Sequence, residues 1–412
     1  MNKFYYYYFY CSLLCWPFLA QGDAPVLLGV ESIPHELVQW LRTRRVGLIM
    51  NHTSFDHRGQ RTVDVLIQQG INVARLFAPE HGLDGLVAAA RDVHNTRDAK
   101  TNIPVISIYN CGPKRAETDH GVIDLDVLIF DMQDAGMRHF TYISTLLHML
   151  QCAASCHIPF IVFDRPNPLG GCMEGPVGPL LHLPHVTLAP VSLPVRHGLT
   201  VGELARYFNH QALHNKVDVR VVPMQGYCRS MPRPPVASYA LSPNIQSYNA
   251  CCGYGFLGLL GEIRPFDVAI STAHAFECIL LPEDVACPAG VWSTIRTMLE
   301  KQSIKTSAYS YMSARKKKQC GGLMLACGDC NEIGAFQTLL SIVQCCMQAG
   351  VPISFSPGFD HAVGTQDVRL FLTSALDKTV FVQRINDALH TFLQQVQPFL
   401  LYTSAPRVIV CQ

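Results

Sequence analysis

Residues Val73–Gly85 read VARLFAPEHGLDG. The apolar run Val73–Phe77 has the length of a buried strand and breaks at Pro79. Glu80 and His81 follow at once, then Gly82, with Asp84-Gly85 just beyond. A strand, a breaker, an acid, a histidine and a glycine in that order place a proton-transfer group at the mouth of a parallel sheet.

The same arrangement recurs on both sides of this stretch. Val46–Met50 reads as a strand and opens into Asn51-His52-Thr53-Ser54, after which Thr62–Gln69 has helical spacing. Residues Gly85 to Thr101 are polar and read as a surface loop. Ile103–Tyr109 and Val127–Phe130 are further strands, the second ending in Asp131-Met132-Gln133-Asp134. Tyr142–Cys156 carries Ile143, Leu146, Leu147 and Leu150 on one helical face. Phe160–Phe163 is a strand that runs into Asp164-Arg165-Pro166-Asn167-Pro168. Strands alternating with helices predict an α/β fold, with a Rossmann-like, mostly parallel sheet covered on both faces.

Asn51, Glu80, Asp131 and Asp164 then lie at, or within three residues of, strand C-terminal ends, which share one edge of such a sheet. Ligands bind in the crevice at that edge. Taken singly, each residue is a cap or turn former; four on one edge read as a site. Arg138, His139, Tyr142, Arg165 and Arg196 would supply donors there. Glu80 in a cleft could act as an acid, and glycoside hydrolysis commonly needs a second carboxylate, for which Asp131, Asp134 and Asp164 are candidates.

Thr200 to Asn209 predicts a helix, with Thr200 as cap and Glu203 at the capping-box position. Val217–Val222 is a strand, and the proline-rich Met231–Pro235 marks a domain junction. Residues 23–230 thus form the Rossmann-like domain and 231–412 a smaller α+β domain. The second has strands near Gly322–Ala326 and Val368–Leu372, and helices near Gly334–Gln348 and Val380–Gln394.

Residues 1–22 have the order of a signal peptide: Lys3, an apolar run Phe4–Leu19, then small residues. They predict export to the periplasm or medium, with an uncleaved N-terminal anchor as the alternative. No later apolar stretch is long enough to span a membrane. A net charge of +1 gives no electrostatic case for nucleic acid, and Arg315–Lys318 reads as a solvated basic loop. Of 17 cysteines, Cys11 and Cys15 fall in the signal, leaving an odd number. Cys327-Gly328-Asp329-Cys330 has redox spacing but follows a late strand, which favours structural thiols or disulfides.

Two further motifs are weighed and set aside. Gly253-Tyr-Gly255-Phe-Leu-Gly258 matches a dinucleotide fingerprint, yet it follows a polar loop and Arg264-Pro265 cuts off any helix. His52, His81, His139 and His197 lie near the sheet edge, and Asp131, Asp134 and His139 could bind a divalent ion. No HExxH-type pair accompanies them. The reading takes no metal and no cofactor.

The segments GLIMNHTS, LFAPEHGLDG, VLIFDMQDAGMRHFTYISTL, PFIVFDRPNPLGG…EGPV, LPVRHGLTVGELARYFN, LSPNIQ and FDHAVGTQDVR resemble, in that order, the exo-β-N-acetylmuramidase family. The resemblance covers nearly the whole chain after the signal. It implies a Rossmann-like domain with a smaller C-terminal one and a site in the cleft between them. It implies a substrate derived from peptidoglycan, a sugar or muropeptide from whose non-reducing end N-acetylmuramic acid is released. Carried over by motif, Glu80 is the expected catalytic acid, with His81 and Asp131 beside it. The implied substrate-binding residues are Asn51, Gln133, Asp134, Arg138, Tyr142, Asp164, Arg165, Asn167, Arg196, His197 and Asn244. The segment Asn249–Glu262 departs from the family, being shorter and without its acidic, arginine-bearing loop. That departure supports the alternative of a muropeptide-binding protein that has lost the chemistry.

Overall fold

The computed structural model describes residues 25–87, 91, 94–109, 121–184 and 186–412. The expected signal at 1–22 lies outside the described residues. In chain order the first strands are β1 Arg45–Met50, β2 Asn72–Ala78, β3 Thr96–Arg97, β4 Pro104–Ser107, β5 Val127–Asp131 and β6 Phe160–Phe163. β7 Cys172–Pro179, β8 Ser192–Arg196 and β9 Val219–Val222 follow. The main sheet has the order β3-β4-β2-β1-β5-β6-β9. All its pairings are parallel except that of β3, a short antiparallel edge. β3 falls inside the stretch expected to be loop.

Numbered along the chain, the six parallel strands run 3-2-1-4-5-6, the doubly wound order, with its switch point between β1 and β5. Alternation along each strand fixes the two faces. Ile49, Phe77, Phe130 and Val162 enter one core; Leu48, Leu76, Ile129 and Phe163 enter the other. Helix Thr141–Cys156 covers the first face, while His35–Arg42 and Thr62–Gln68 contribute Leu41, Val63 and Leu66 to the second. Helix Val201–Gln211 is capped as the sequence predicts. Thr200 Oγ1 accepts from the Glu203 amide, and the Glu203 carboxylate accepts from the Thr200 amide.

The second half is α+β. β10 Ile263–Arg264 pairs with β14 Ser354–Phe355. β11 Cys278–Pro282, β12 Lys305–Ser313 and β13 Lys318–Ala326 form an antiparallel sheet, with the basic run Arg315–Lys318 at its hairpin. The last strand, β15 Arg407–Val408, returns to pair with β7. One apolar cluster holds Leu146 and Phe208 together with Phe256, Phe336 and Phe392.

Two sequence expectations are corrected. Val368–Leu372 is not a strand but the helix Asp367–Leu372. A five-residue apolar run does not distinguish the two, and Arg369 reaching back to Asp360 on the preceding helix Phe359–Val363 favours the helical form. The glycine fingerprint, read as following a polar loop with any helix cut off by Arg264-Pro265, lies inside the helix Tyr248–Leu260, which ends before that pair. Ser247 caps it by accepting from the Ala250 amide. The glycines there serve close packing. A Cβ on Gly253 would lie 1.9 Å from the Phe276 carbonyl oxygen, and one on Gly258 would lie 2.7 Å from His139 Nε2.

Candidate active site

The C-terminal ends of β1, β2, β5 and β6 present Asn51, Glu80, Asp131–Asp134 and Asp164–Asn167 on one edge, all buried. Burial of this many polar groups has a cost that only hydrogen bonding offsets. Following each group's partners therefore separates braces from groups turned toward a ligand.

Several of the expected site residues are braces. Asp131 is 0% exposed and accepts two hydrogen bonds from the 1% exposed Arg165, on Oδ1 from Nε and on Oδ2 from Nη2 at 2.8 Å. Thr62 Oγ1 also donates to Oδ2, and Arg165 goes on to the Phe55 carbonyl. Asp164 accepts from the Arg165 and Gly202 amides at 2.9 and 2.8 Å, and from the Thr200 and Tyr402 hydroxyls at 2.8 and 2.6 Å. Burial pushes its carboxyl up to about 7, with Glu203's charge adding and these donors opposing. Asn167 spans the Leu199 carbonyl and the Leu169 amide. Arg196 pairs with Glu174 at 2.8 Å and donates to the Ile333 and Cys330 carbonyls, pinning the second half to β8. Arg138 is buried without a carboxylate partner. Its guanidinium donates to the carbonyls of Pro179 and Ala362, and burial lowers its pKa to about 10. Asn244 stands apart, half-buried, accepting from the Ser271 amide.

A second group faces inward around Glu80. Thr141 Oγ1 donates to Glu80 Oε2 at 2.7 Å, and the Tyr109 hydroxyl also bonds this carboxylate. Tyr142 and Tyr254 lie within reach of its charge. Burial, and then the Glu80 carboxylate, push the phenols of Tyr109 and Tyr142 up. For Tyr254 the order is burial, Asp134 and Glu80. These hydroxyls are therefore protonated donors at neutral pH.

Asp134 differs from Asp131 and Asp164. Its Oδ2 accepts from the Gly136 amide at 2.7 Å and from His197 Nε2 at 3.0 Å, while Oδ1 is buried with no hydrogen-bond partner among the described residues. His197 Nδ1 accepts from the Leu199 amide, so the hydrogen of the neutral ring sits on Nε2 and points at Asp134. Gln133 Oε1 and both nitrogens of His139 are likewise buried without hydrogen-bond partners among the described residues, and the Tyr142 hydroxyl meets the Asn51 side chain. Burial and the charge of Arg138 lower His139 to about 3, so its ring is neutral. Buried polar atoms left over in this way are the kind that a polar ligand satisfies.

His81 is adjacent to Glu80 but turned differently. Its φ of 70° is left-handed, a strained state found at functional turns. Its Nδ1 lies 2.7 Å from the Val87 carbonyl, so Nδ1 carries the hydrogen and Nε2 is the acceptor. It lines a cavity of about 630 Å³ with Arg61, Asp84 and Asp98, and Glu80 is not in that lining. Gly85 is required beside it: its φ is 68°, and a Cβ there would meet the His52 ring at 2.2 Å. The trio Asp131, Asp134 and His139 does not converge as a metal site, since Arg165 and His197 hold the two carboxylates. Among the described residues no group of three such ligands is gathered.

Thr141, Tyr109 and Tyr254 are the site residues that sequence reasoning misses. Thr141 precedes the family's Tyr142 directly, which was an available signal. Tyr254 comes from the departing segment, and no local pattern points to it.

The N-terminal model of the exo-beta-N-acetylmuramidase NamZ family matches residues 46–249. The chain is 29% identical over 388 residues to peptidoglycan beta-N-acetylmuramidase NamZ of Bacillus subtilis (strain 168), covering 92% of this chain and 91% of that one. A DUF1343 family protein from Bacteroides fragilis NCTC 9343 superposes with a TM-score of 0.74 at 26% identity, covering 92% of this chain and 99% of the other. A second protein of that family and organism shares the fold at a TM-score of 0.71 and 24% identity. The site residues from Asn51 to Asn244 all fall within the matched segment, and over 92% of its length the chain is similar to an exo-beta-N-acetylmuramidase.

Proposed function

We propose that this protein is an exported glycosidase that releases N-acetylmuramic acid from the non-reducing end of peptidoglycan fragments, with Glu80 as the general acid. The observation that carries the reading is the setting of Glu80: a carboxyl at a strand end, held by Thr141 and Tyr109 among buried, unfilled donors and acceptors. The likeness to a peptidoglycan beta-N-acetylmuramidase supports the substrate class.

Hydrolysis needs one carboxyl to protonate the glycosidic oxygen as the C–O bond breaks, and a second to assist at the anomeric carbon. Asp131 and Asp164 have both oxygens engaged, whereas Asp134 keeps Oδ1 unfilled and shares the neighbour Tyr254 with Glu80. We therefore assign Asp134 as the second carboxylate, oriented by the Nε2 hydrogen of His197. Asn51, Gln133, Tyr142 and His139 are read as contacts to sugar hydroxyl and acetamido groups.

Purified protein with a chromogenic N-acetylmuramic acid glycoside tests the reading. Release of the free sugar that survives a chelator is the expected result. Saturable binding without release would replace it with the binding-protein reading.

A further inference from the structure

The departing segment Asn249–Glu262 makes up most of helix Tyr248–Leu260, and one side of that helix rests on the turn that leads into Thr141. The Tyr254 ring lies 4.9 Å from the His139 ring and 6.1 Å from that of Phe140, and Phe276 backs it at 4.9 Å. Phe140 in turn meets Tyr142 edge-on at 4.6 Å. One helical turn beyond Tyr254, Gly258 leaves the room that the His139 ring occupies. A Cβ there would lie 2.7 Å from His139 Nε2 and 3.0 Å from Tyr254 Cε2. The ring has little freedom to swing away, because both its nitrogens are buried and Tyr254 packs against it. The backbone beside it is also tied, the Arg138 amide to the Val195 carbonyl at 2.8 Å and the Phe140 amide to the Met137 carbonyl at 2.9 Å. Two residues on from His139, Thr141 Oγ1 donates to Glu80 Oε2 at 2.7 Å.

On the reading of Glu80 as the general acid, we propose that Gly258 is a positioning residue for that acid, acting through the turn His139–Thr141 on the Thr141 hydroxyl. A general acid must lie within hydrogen-bond reach of the oxygen it protonates. A displacement of about 1 Å that originates far from the chemistry can lower the rate roughly 10²-fold. At Gly258 a methyl group is enough to press on His139, and Thr141 follows in the same turn. The short segment thus serves the chemistry from behind the acid rather than by covering the sugar.

Gly258→Ala tests this beside Gly255→Ala on the same helix, where a Cβ would meet only Ala335 Cβ at 3.4 Å and Leu169 Cδ1 at 3.7 Å. Alanine is the better helix former at both positions, so both variants are expected to fold. Turnover is measured on a disaccharide, whose leaving group is a sugar, and on a dinitrophenyl glycoside, which needs no proton. Gly258→Ala should lose about 10- to 100-fold in kcat/KM on the disaccharide and little on the dinitrophenyl glycoside. Gly255→Ala should match the wild type on both. Thr141→Val should show the same selective loss, Thr141→Ser should restore the rate, and adding Gly258→Ala to Thr141→Val should cost nothing further. Equal losses on both substrates, or wild-type rates in Gly258→Ala, would overturn the proposal. A wild type that releases no sugar from either substrate would instead refute the glycosidase reading. Urea unfolding then reads the coupling without turnover: Gly258→Ala and Thr141→Val should be non-additive, and strict additivity would overturn the link between them.

Discussion

Asp131→Asn distinguishes a brace from a catalyst. In the structure the Asp131 carboxylate receives two hydrogen bonds from Arg165 and one from Thr62, and neither charged partner is more than 1% exposed. Removing the negative charge leaves the Arg165 guanidinium charge buried and uncompensated, with the Asn amide oxygen and the Phe55 carbonyl as its acceptors. Breaking one side of a buried pair costs about 3–5 kcal/mol. Unfolding entropy of about 2.1 cal/mol/K per residue over 412 residues gives about 0.9 kcal/mol/K, so the expected fall in Tm is about 3–6 °C. Differential scanning calorimetry would measure it. Arg165→Met and the double variant complete a cycle, in which the double variant should lose less than the sum of the singles. Below the new Tm, folded Asp131→Asn should keep most of its turnover. Wild-type stability with abolished turnover would refute the reasoning and return Asp131 to the chemistry.

Other outcomes follow from the same geometry. Gly253→Ala places a Cβ against the Phe276 carbonyl and should destabilise by about 1–3 kcal/mol, read by urea unfolding. Thr200→Ala removes both the cap of Val201–Gln211 and a donor to Asp164, and should cost at least the roughly 1 kcal/mol of a lost cap. His139 contributes a pH slope. Its folded pKa, about 3, lies below its ordinary value of 6.5, so the unfolded chain binds the extra proton between those limits. Its stability contribution is present above about 6.5 and is lost as pH falls toward 3, by up to about 1.4 kcal/mol per pH unit. Unfolding midpoints of His139→Gln across that window should fall less steeply than those of the wild type.

The strand ends were readable because apolar runs followed by turn formers signal an open α/β sheet, and β1, β2, β5 and β6 lie where those runs do. Roles at those ends were less readable. Asp131, Asp164, Asn167 and Arg196 and the unfilled Asp134 all look alike in sequence, because braces and ligand contacts both require buried polar groups. Only their partners separate them: Arg165 for Asp131, Tyr402 for Asp164, and, among the described residues, none for one oxygen of Asp134. Tyr402 lies 238 positions from Asp164, beyond any local pattern. The glycines of Gly253–Gly258, set aside as a fingerprint, have a use that was hidden for a related reason. Their use is close approach to Phe276 and His139, which spacing along the chain does not reveal.

If Glu80 protonates the departing oxygen, Glu80→Gln should show a strong dependence on the leaving group. With an alkoxide-like leaving group such as a sugar, kcat/KM should fall by about 10²–10⁴. With a dinitrophenyl glycoside, which needs no proton, most of the activity should survive. Equal losses on both substrates, or undiminished turnover on the sugar, would contradict the account.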